Sequence, residues 1–361
     1  MTSSVHEFTR YADVRIALAN PHLVPLSARP GPPGGMAWLR STVARFSTGE
    51  THARRRALLE ADLARLEPSA LRRAAASGPA GEARVMVVRT LAESLGLSDP
   101  DAIAGAITVV AGTYFGGDDA DADAAVAWLV PRVLPADPAD PVDPPAERAE
   151  RAERAERAEA LLEAAANRIG LLVQACDATG SLVDHARRAA GDCPVVHSTE
   201  ALLTETLRYD PPVRAMRRVA VRDTRVAGVE IAEGDLVTLD IVAANRDPEV
   251  YEDPTAFDPE RSDPLPLTFG GEPRICPGHH HALALAAGIL DRAPAEIVEA
   301  MVEHVLALAD TWTAWDGRPA LVDDRVHTPH KAIRRVADHL AGSVYYADAI
   351  GSLAPTDRRK P

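Results

Sequence analysis

The residues with the most chemistry to offer lie between Phe269 and Ala282: Phe-Gly-Gly-Glu-Pro-Arg-Ile-Cys-Pro-Gly-His-His-His-Ala. An apolar, alanine-rich run of helical type, Leu283 to Leu290, follows directly. Proline is well tolerated at a first helical position, so Pro277 predicts a helix start there and puts Cys276 at or next to the N-cap. A sulfur in that place faces the positive end of the helix and its unpaired N–H groups, which favours the thiolate. Gly270, Gly271 and Gly278 allow unusual backbone angles and the close approach of a flat ligand. Arg274 adds a cation two residues before the sulfur. Such a loop can present a thiolate to a metal held in a planar cofactor. The plainer alternative is a small buried cysteine ahead of an ordinary helix.

Other segments must position this loop. Tyr11 to Leu18 predicts a short helix, and the proline- and glycine-rich stretch Pro21 to Gly35 a binding loop or a surface connection. Thr51 to Leu66 predicts a basic amphipathic helix on which His52 and Arg56, four apart, share a face. Arg84 to Leu97, Asp101 to Phe115 and Ala124 to Leu134 read as further helices, and Pro135 to Pro145 as an extended linker. Ala146 to Glu159 repeats Ala-Glu-Arg with Glu and Arg at i,i+4. This is the pattern of a solvent-exposed helical extension. It runs into Ala160 to Ala189, a long helix apolar nearly all round and therefore buried. The polar interruption Asp177 to Ser181 lies deep inside it, where polar groups bond the preceding turn or face a cavity. Ala201 to Tyr209 is a helix carrying Glu205 and Arg208. Strand-like pieces follow at Val213 to Val221, Thr224 to Ile231 and Leu236 to Ala243.

Composition narrows the classes. The 361 residues are 46% hydrophobic, 4% aromatic and 25% charged, enough for a large helix-rich core of small side chains. A net charge of −14 argues against nucleic acid, whose binders carry a basic footprint. No run approaches the ~20 apolar residues of a membrane helix, and no secretory leader precedes the first helix. The three cysteines, Cys176, Cys193 and Cys276, form no disulfide framework and point to a reducing cytoplasm.

The cysteine loop resembles the heme-binding loop of the cytochrome P450 family, Phe-Gly-x-Gly-x-basic-x-Cys-x-Gly with an alanine four residues on. Phe269, Gly270, Arg274, Cys276, Gly278 and Ala282 match, while Glu272 replaces the second glycine. The resemblance extends in order from about residue 8 to about residue 310. It implies that Cys276 ligates the iron of heme b and that His52, Arg56 and Arg218 hold the propionates. It implies a structural triad of Glu205, Arg208 and Arg261. Asp177 to Ser181 is similar to the family's oxygen-binding kink: Ala175 and Thr179 match, but Cys176 replaces a glycine and Ala178 the acid. Thr179 is the implied catalytic hydroxyl, and Asp177 substitutes for the acid only if the helix unwinds locally.

The implied fold is mostly α with small β-sheets, the cytochrome P450 fold truncated at the N-terminus, in a single heme-thiolate domain over 1–361. Within it, 1–20 is the remnant of a β-rich N-terminal part and 146–189 the long central helix with its charged extension. Residues 200–310 are the heme-binding core, and 341–361 a tail of no assigned role. The stretch between the basic and the long helices is short for the family, so part of the substrate roof is missing or rebuilt. Residues 21–35 and 102–134 are expected to line a moderately hydrophobic pocket.

The implied activity is monooxygenation of a small organic molecule in bacterial specialised metabolism, the substrate free or carrier-bound. Electrons would come from ferredoxin and ferredoxin reductase, with Arg54, Arg55, Arg274 and His279 to His281 as a basic docking patch. Two alternatives stay open. Ala178 and the short roof favour a peroxide-driven enzyme, or one that couples, dehydrates or isomerises without oxygen insertion. Glu272 favours a catalytically degenerate heme protein.

Overall fold

The computed structural model describes residues 4–117, 119–134, 147–192, 198–262 and 264–292. The expected linker at 135–145, Cys193 and the expected tail lie outside the described residues, as does the end of the expected heme-binding core.

The chain enters through strand β1 (Val5–Phe8) and helix α1 (Tyr11–Ala19), followed by β2 (Leu23–Val24) and α2 (Met36–Thr42). Helices α3 (Gly49–Leu63), α4 (Pro68–Ser77), α5 (Ala83–Ser94), α6 (Pro100–Ala111) and α7 (Ala120–Val133) precede the long α8 (Glu147–Asp192). Then come α9 (Thr199–Tyr209), β3 (Ala215–Ala220), β4 (Thr224–Val226), β5 (Val229–Ile231), β6 (Leu236–Asp240), α10 (Ile241–Ala244) and α11 (His279–Leu290). Helix boundaries foreseen from periodicity agree within a few residues. The spacing analysis passed over α4, whose Pro68 at the first helical position and Glu67 cap, accepting from Ala70 N–H, are nonetheless start signals.

One apolar core joins α5, α6, α7, α8, α9 and α11. Buried Leu172, Val173, Cys176, Leu182, Val183 and Ala186 fill successive turns of α8, as an all-round apolar sequence requires. A smaller core, with Phe8, Val14, Leu239 and Tyr251, sits under a four-stranded sheet ordered β1-β6-β3-β2. In that sheet β1 runs parallel to β6, and the other pairings are antiparallel. β4 and β5 form a separate hairpin.

Two glycines set how closely the large core packs. A Cβ on Gly288 would lie 2.2 Å from the carbonyl oxygen of Arg72, so α11 and α4 touch backbone to backbone. A Cβ on Gly180 would lie 2.5 Å from Cγ and 3.0 Å from Cα of Arg84 on α5. Gly180 reads in the sequence as a helix-weakening residue beside Thr179; in the fold it is a contact surface.

Helix α8 runs without a break through Asp177 to Ser181. The local unwinding that Asp177 would need in order to replace the missing acid is therefore absent. Among the described residues no helix is long and apolar enough to cross a membrane.

Candidate heme-thiolate site

Residues 267–269 form one 3-10 turn, and Gly270 leaves it at φ 79°, a conformation that favours glycine. The chain returns on itself so that the Cys276 N–H donates to the Phe269 carbonyl at 2.9 Å. Helix α11 begins at His279 with Gly278 as its N-cap, later than Pro277 predicts. Pro277 and Gly278 instead form a turn, and the Gly278 N–H donates to the Cys276 sulfur. Burial nevertheless pushes the Cys276 thiol up, outweighing that hydrogen bond and the nearby Arg56 and Arg45. The dipole argument that favoured a free thiolate is thus corrected: desolvation wins, and the sulfur loses its proton when a metal takes its place. Ala282 N–H closes the first turn of α11 on the Gly278 carbonyl at 2.8 Å. Glu272 is exposed, so its departure from the glycine pattern buries no charge.

Cations surround this loop. Arg56 on α3 donates to the Ile275 carbonyl at 2.8 Å and pairs with Glu60 at 2.7 Å. His52, one turn earlier, is driven down to about 4 by burial and by Arg274 and Arg56. It is therefore a neutral imidazole at pH 7. Arg274 donates to the Ser47 carbonyl at 2.9 Å. Arg218 on β3 is 5% exposed and donates to the Arg217 carbonyl, with the sulfur of Met216 at 3.9 Å. Burial pushes both Arg218 and Arg274 down to about 10, and each is lowered further by Arg45. Among the described residues no carboxylate pairs with Arg45, Arg218 or Arg274. Buried guanidiniums without a counter-anion are costly. Arg218 and Arg274 together would suit a flat, dianionic cofactor bound at the sulfur.

Sequence reasoning missed Arg45, which sits in a short 3-10 turn ahead of α3 and belongs to no recognisable spacing. The fold alone brings it to the cysteine.

The triad residues meet. Arg208 grips Glu205 through both carboxylate oxygens, at 2.8 and 2.6 Å, and Arg261 donates to Glu205 at 3.2 Å. The Asp258 N–H adds a further bond to Glu205 at 2.9 Å. Both guanidiniums bond the carbonyls of the meander: Arg208 those of Asn245, Pro254 and Ala256, Arg261 those of Glu252, Asp253 and Ala256.

The oxygen-side residues do not come together. Thr179 is 2% exposed, within the core. Asp177 turns to α5 and pairs with Arg84 at 3.3 Å. The two bound an open cleft of about 510 Å³ with Thr108, Ala111, Gly112, Phe115 and Gly116. Residues 102–134 thus supply most of that cleft's lining, and the 21–35 loop none of it. The half-buried positions of α8 around Thr179 are Leu171, Gln174, Ala175, Ala178 and Ser181, with half-buried Asp177 turned to Arg84.

Several members of the expected basic docking patch are engaged within the chain. Arg54 and Arg55 both pair with Glu163 on α8, at 2.9 and 2.7 Å. Arg274 turns inward, and His281 bonds the Leu63 and Leu66 carbonyls at 3.0 Å. Glu163 supplies one carboxylate for the Arg54 and Arg55 guanidiniums, and Arg54 stays largely exposed.

A thiol cradled ahead of a core helix, on a helical fold with this buried triad, defines the heme-thiolate class. Residues 184–285 match the cytochrome P450 family model. A putative cytochrome P450 140 of Mycobacterium tuberculosis is 47% identical over 85 residues, 23% of this chain and 19% of the relative. Erythromycin C-12 hydroxylase of Saccharopolyspora erythraea is 34% identical over 112 residues, 30% of this chain and 27% of the relative. The matched stretch thus spans about a fifth to a quarter of those relatives' length. The crystal structure of P450BioI in complex with an acylated acyl carrier protein superposes with a TM-score of 0.57 at 18% identity, covering 79% of this chain and 83% of that one. The chain has the cytochrome P450 fold, and its residues 184–285 match the model of that family, whose members bind heme.

Proposed function

We propose that this protein is a heme-thiolate monooxygenase that hydroxylates or epoxidises a small organic molecule in bacterial specialised metabolism, with electrons from a ferredoxin-type partner. The observation that carries the reading is the half-buried Cys276 sulfur, held by the Gly278 N–H beside Arg218 and Arg274, neither of which pairs with a carboxylate among the described residues. Cys276 would ligate the iron, and Arg218 and Arg274, with neutral His52 as a hydrogen-bond donor, would hold the propionates. When bound, thiolate-ligated heme supplies the oxidation, the sulfur's electron density favouring O–O cleavage. The chain's own part is to keep the sulfur dry and fix its direction. The relative that hydroxylates erythromycin supports a specialised-metabolic role, and P450BioI supports a carrier-tethered form of the substrate.

A second reading has its own support. The acid expected beside Thr179 is replaced by Ala178, and Asp177 is engaged by Arg84. Without a proton relay, oxygen activation with external electrons is poorly served, and peroxide-driven oxidation or chemistry without oxygen insertion fits better.

The test is a reconstitution. Hemin is added to the purified protein, and the carbon-monoxide difference spectrum is recorded for wild type and Cys276→Ala. Loss of the thiolate band in the variant supports the site; an unchanged band overturns it. Substrate turnover with ferredoxin, reductase and NADPH, against turnover with hydrogen peroxide alone, then separates the two readings.

A further inference from the structure

The cation ring holds more charge than heme can balance. Arg56 is already paired with Glu60, and His52 is neutral at pH 7. Arg45, Arg218 and Arg274 remain, without a carboxylate among the described residues. Heme b brings two propionates. The three charges of ferric iron are cancelled by the porphyrin dianion and the thiolate, so the ring centre contributes nothing. Arg218 projects from β3, and Arg274 from the cysteine loop itself. Arg45 is the cation left over, and its surroundings differ from theirs. Its guanidinium lies 6.0 Å from the Phe46 ring and 5.8 Å from the Phe115 ring, the outer limit of a cation–π contact.

Beside it stands a second unsatisfied group. Tyr114 is fully buried, and its hydroxyl has no hydrogen-bond partner among the described residues. Burial raises its pKa, with Arg45 pulling the other way, so the phenol keeps its proton and donates. A Cβ on Gly170 would lie 3.3 Å from that hydroxyl and 2.9 Å from Val43, so only the bare glycine backbone of α8 lets the hydroxyl lie there. A buried donor without an acceptor is destabilising. The Phe46, Tyr114 and Phe115 rings pack edge to face or tilted, with centroids 5.2 to 6.4 Å apart. Phe115 also forms part of the wall of the cleft between α6 and α8.

We propose that Arg45 and Tyr114 form an anion anchor at the inner end of that cleft, and that the substrate is a carboxylate carried on a flat, apolar body. The carboxylate accepts from the Arg45 guanidinium and the Tyr114 hydroxyl, while Phe46 and Phe115 flank the body next to it. The inference rests on the heme-thiolate reading, because the charge count assumes two propionates and one thiolate.

The experiment uses the hemin-loaded protein and a probe series from phenylacetate to 5-phenylvalerate, each against its primary amide. Binding is read from the heme spectral shift and, independently, from the shift in Tm. A charge-assisted pair predicts that at least one acid binds about tenfold more tightly than its amide. Arg45→Gln is expected to abolish that preference, Arg45→Lys to keep part of it, and Tyr114→Phe to weaken it, with heme content and the carbon-monoxide band unchanged in all. Equal binding of acids and amides across the series overturns the proposal. So does an Arg45→Gln protein that no longer retains heme, which would make Arg45 a propionate ligand and leave the heme-thiolate reading intact. Wild-type protein without a thiolate band defeats the earlier reading, and the charge count falls with it.

Discussion

Two buried charge clusters, on either side of the segment from β3 to the cysteine loop, are built to opposite plans. Around Glu205 every charge has its partner: two guanidiniums and the Asp258 N–H on the carboxylate, and backbone carbonyls on the guanidiniums. Asn245 extends the same closure, donating to Leu207 and Thr268 and accepting from Leu267 N–H. Around Cys276 only Arg56 has a carboxylate, that of Glu60; Arg45, Arg218 and Arg274 have backbone oxygens or aromatic faces beside them and no carboxylate among the described residues. The first cluster is complete by itself and fixes the meander. The second is completed only by an anion from outside. Buried charge therefore has two uses in one chain, and the local count of partners tells them apart.

The comparison can be broken from either side. The largest expected effect is on the open cluster: Cys276→Ala should abolish the thiolate band in the carbon-monoxide difference spectrum while leaving the far-ultraviolet circular dichroism unchanged. Next comes the closed cluster. Glu205→Gln leaves Arg208 and Arg261 buried without a counter-charge and should cost about 3–5 kcal/mol in urea unfolding of the heme-free protein. A loss below 1 kcal/mol would mean that the triad is ornamental.

Gly180→Ala drives a methyl into Arg84 on α5 and is expected to lower stability by about 1–3 kcal/mol, read in the same assay. Arg218→Met should separate stability from function, since an apolar side chain relieves buried repulsion: the heme-free protein unfolds at equal or higher urea, yet retains hemin less well. Equal hemin retention would remove Arg218 from the cofactor site.

The smallest effect is a pH dependence. His52 titrates near 4 in the folded protein and near the ordinary 6.5 when unfolded. The unfolded chain binds the extra proton, so His52 contributes stability above pH 6.5 that is lost as pH falls toward 4. His52→Gln should flatten the stability of the heme-free protein across that window, measured by urea unfolding at successive pH values.

Much of this was legible in the residues. The all-round apolar stretch of α8, the Glu205–Arg208 spacing and the cysteine loop each carry local signatures, because helix periodicity, capping and short turns depend on neighbours in the chain. Three features were not legible. The thiolate preference at Cys276 read correctly as a dipole effect but was reversed by burial, which depends on what packs over the loop. Asp177 lies two residues before Thr179, and only the unbroken helix decides that it turns to Arg84. The engagement of Arg54 and Arg55 was not legible either, because Glu163, which pairs with both, lies over a hundred residues away.

The amino-acid order by itself determined the helices, the candidate ligand sulfur and the carboxylate that clamps the meander, since these rest on propensity and short-range spacing. Only the tertiary structure decided which cations remain without anions and which hydroxyl is stranded beside them. Charge balance and solvent exclusion are sums over everything within reach, and chain order does not say what is within reach.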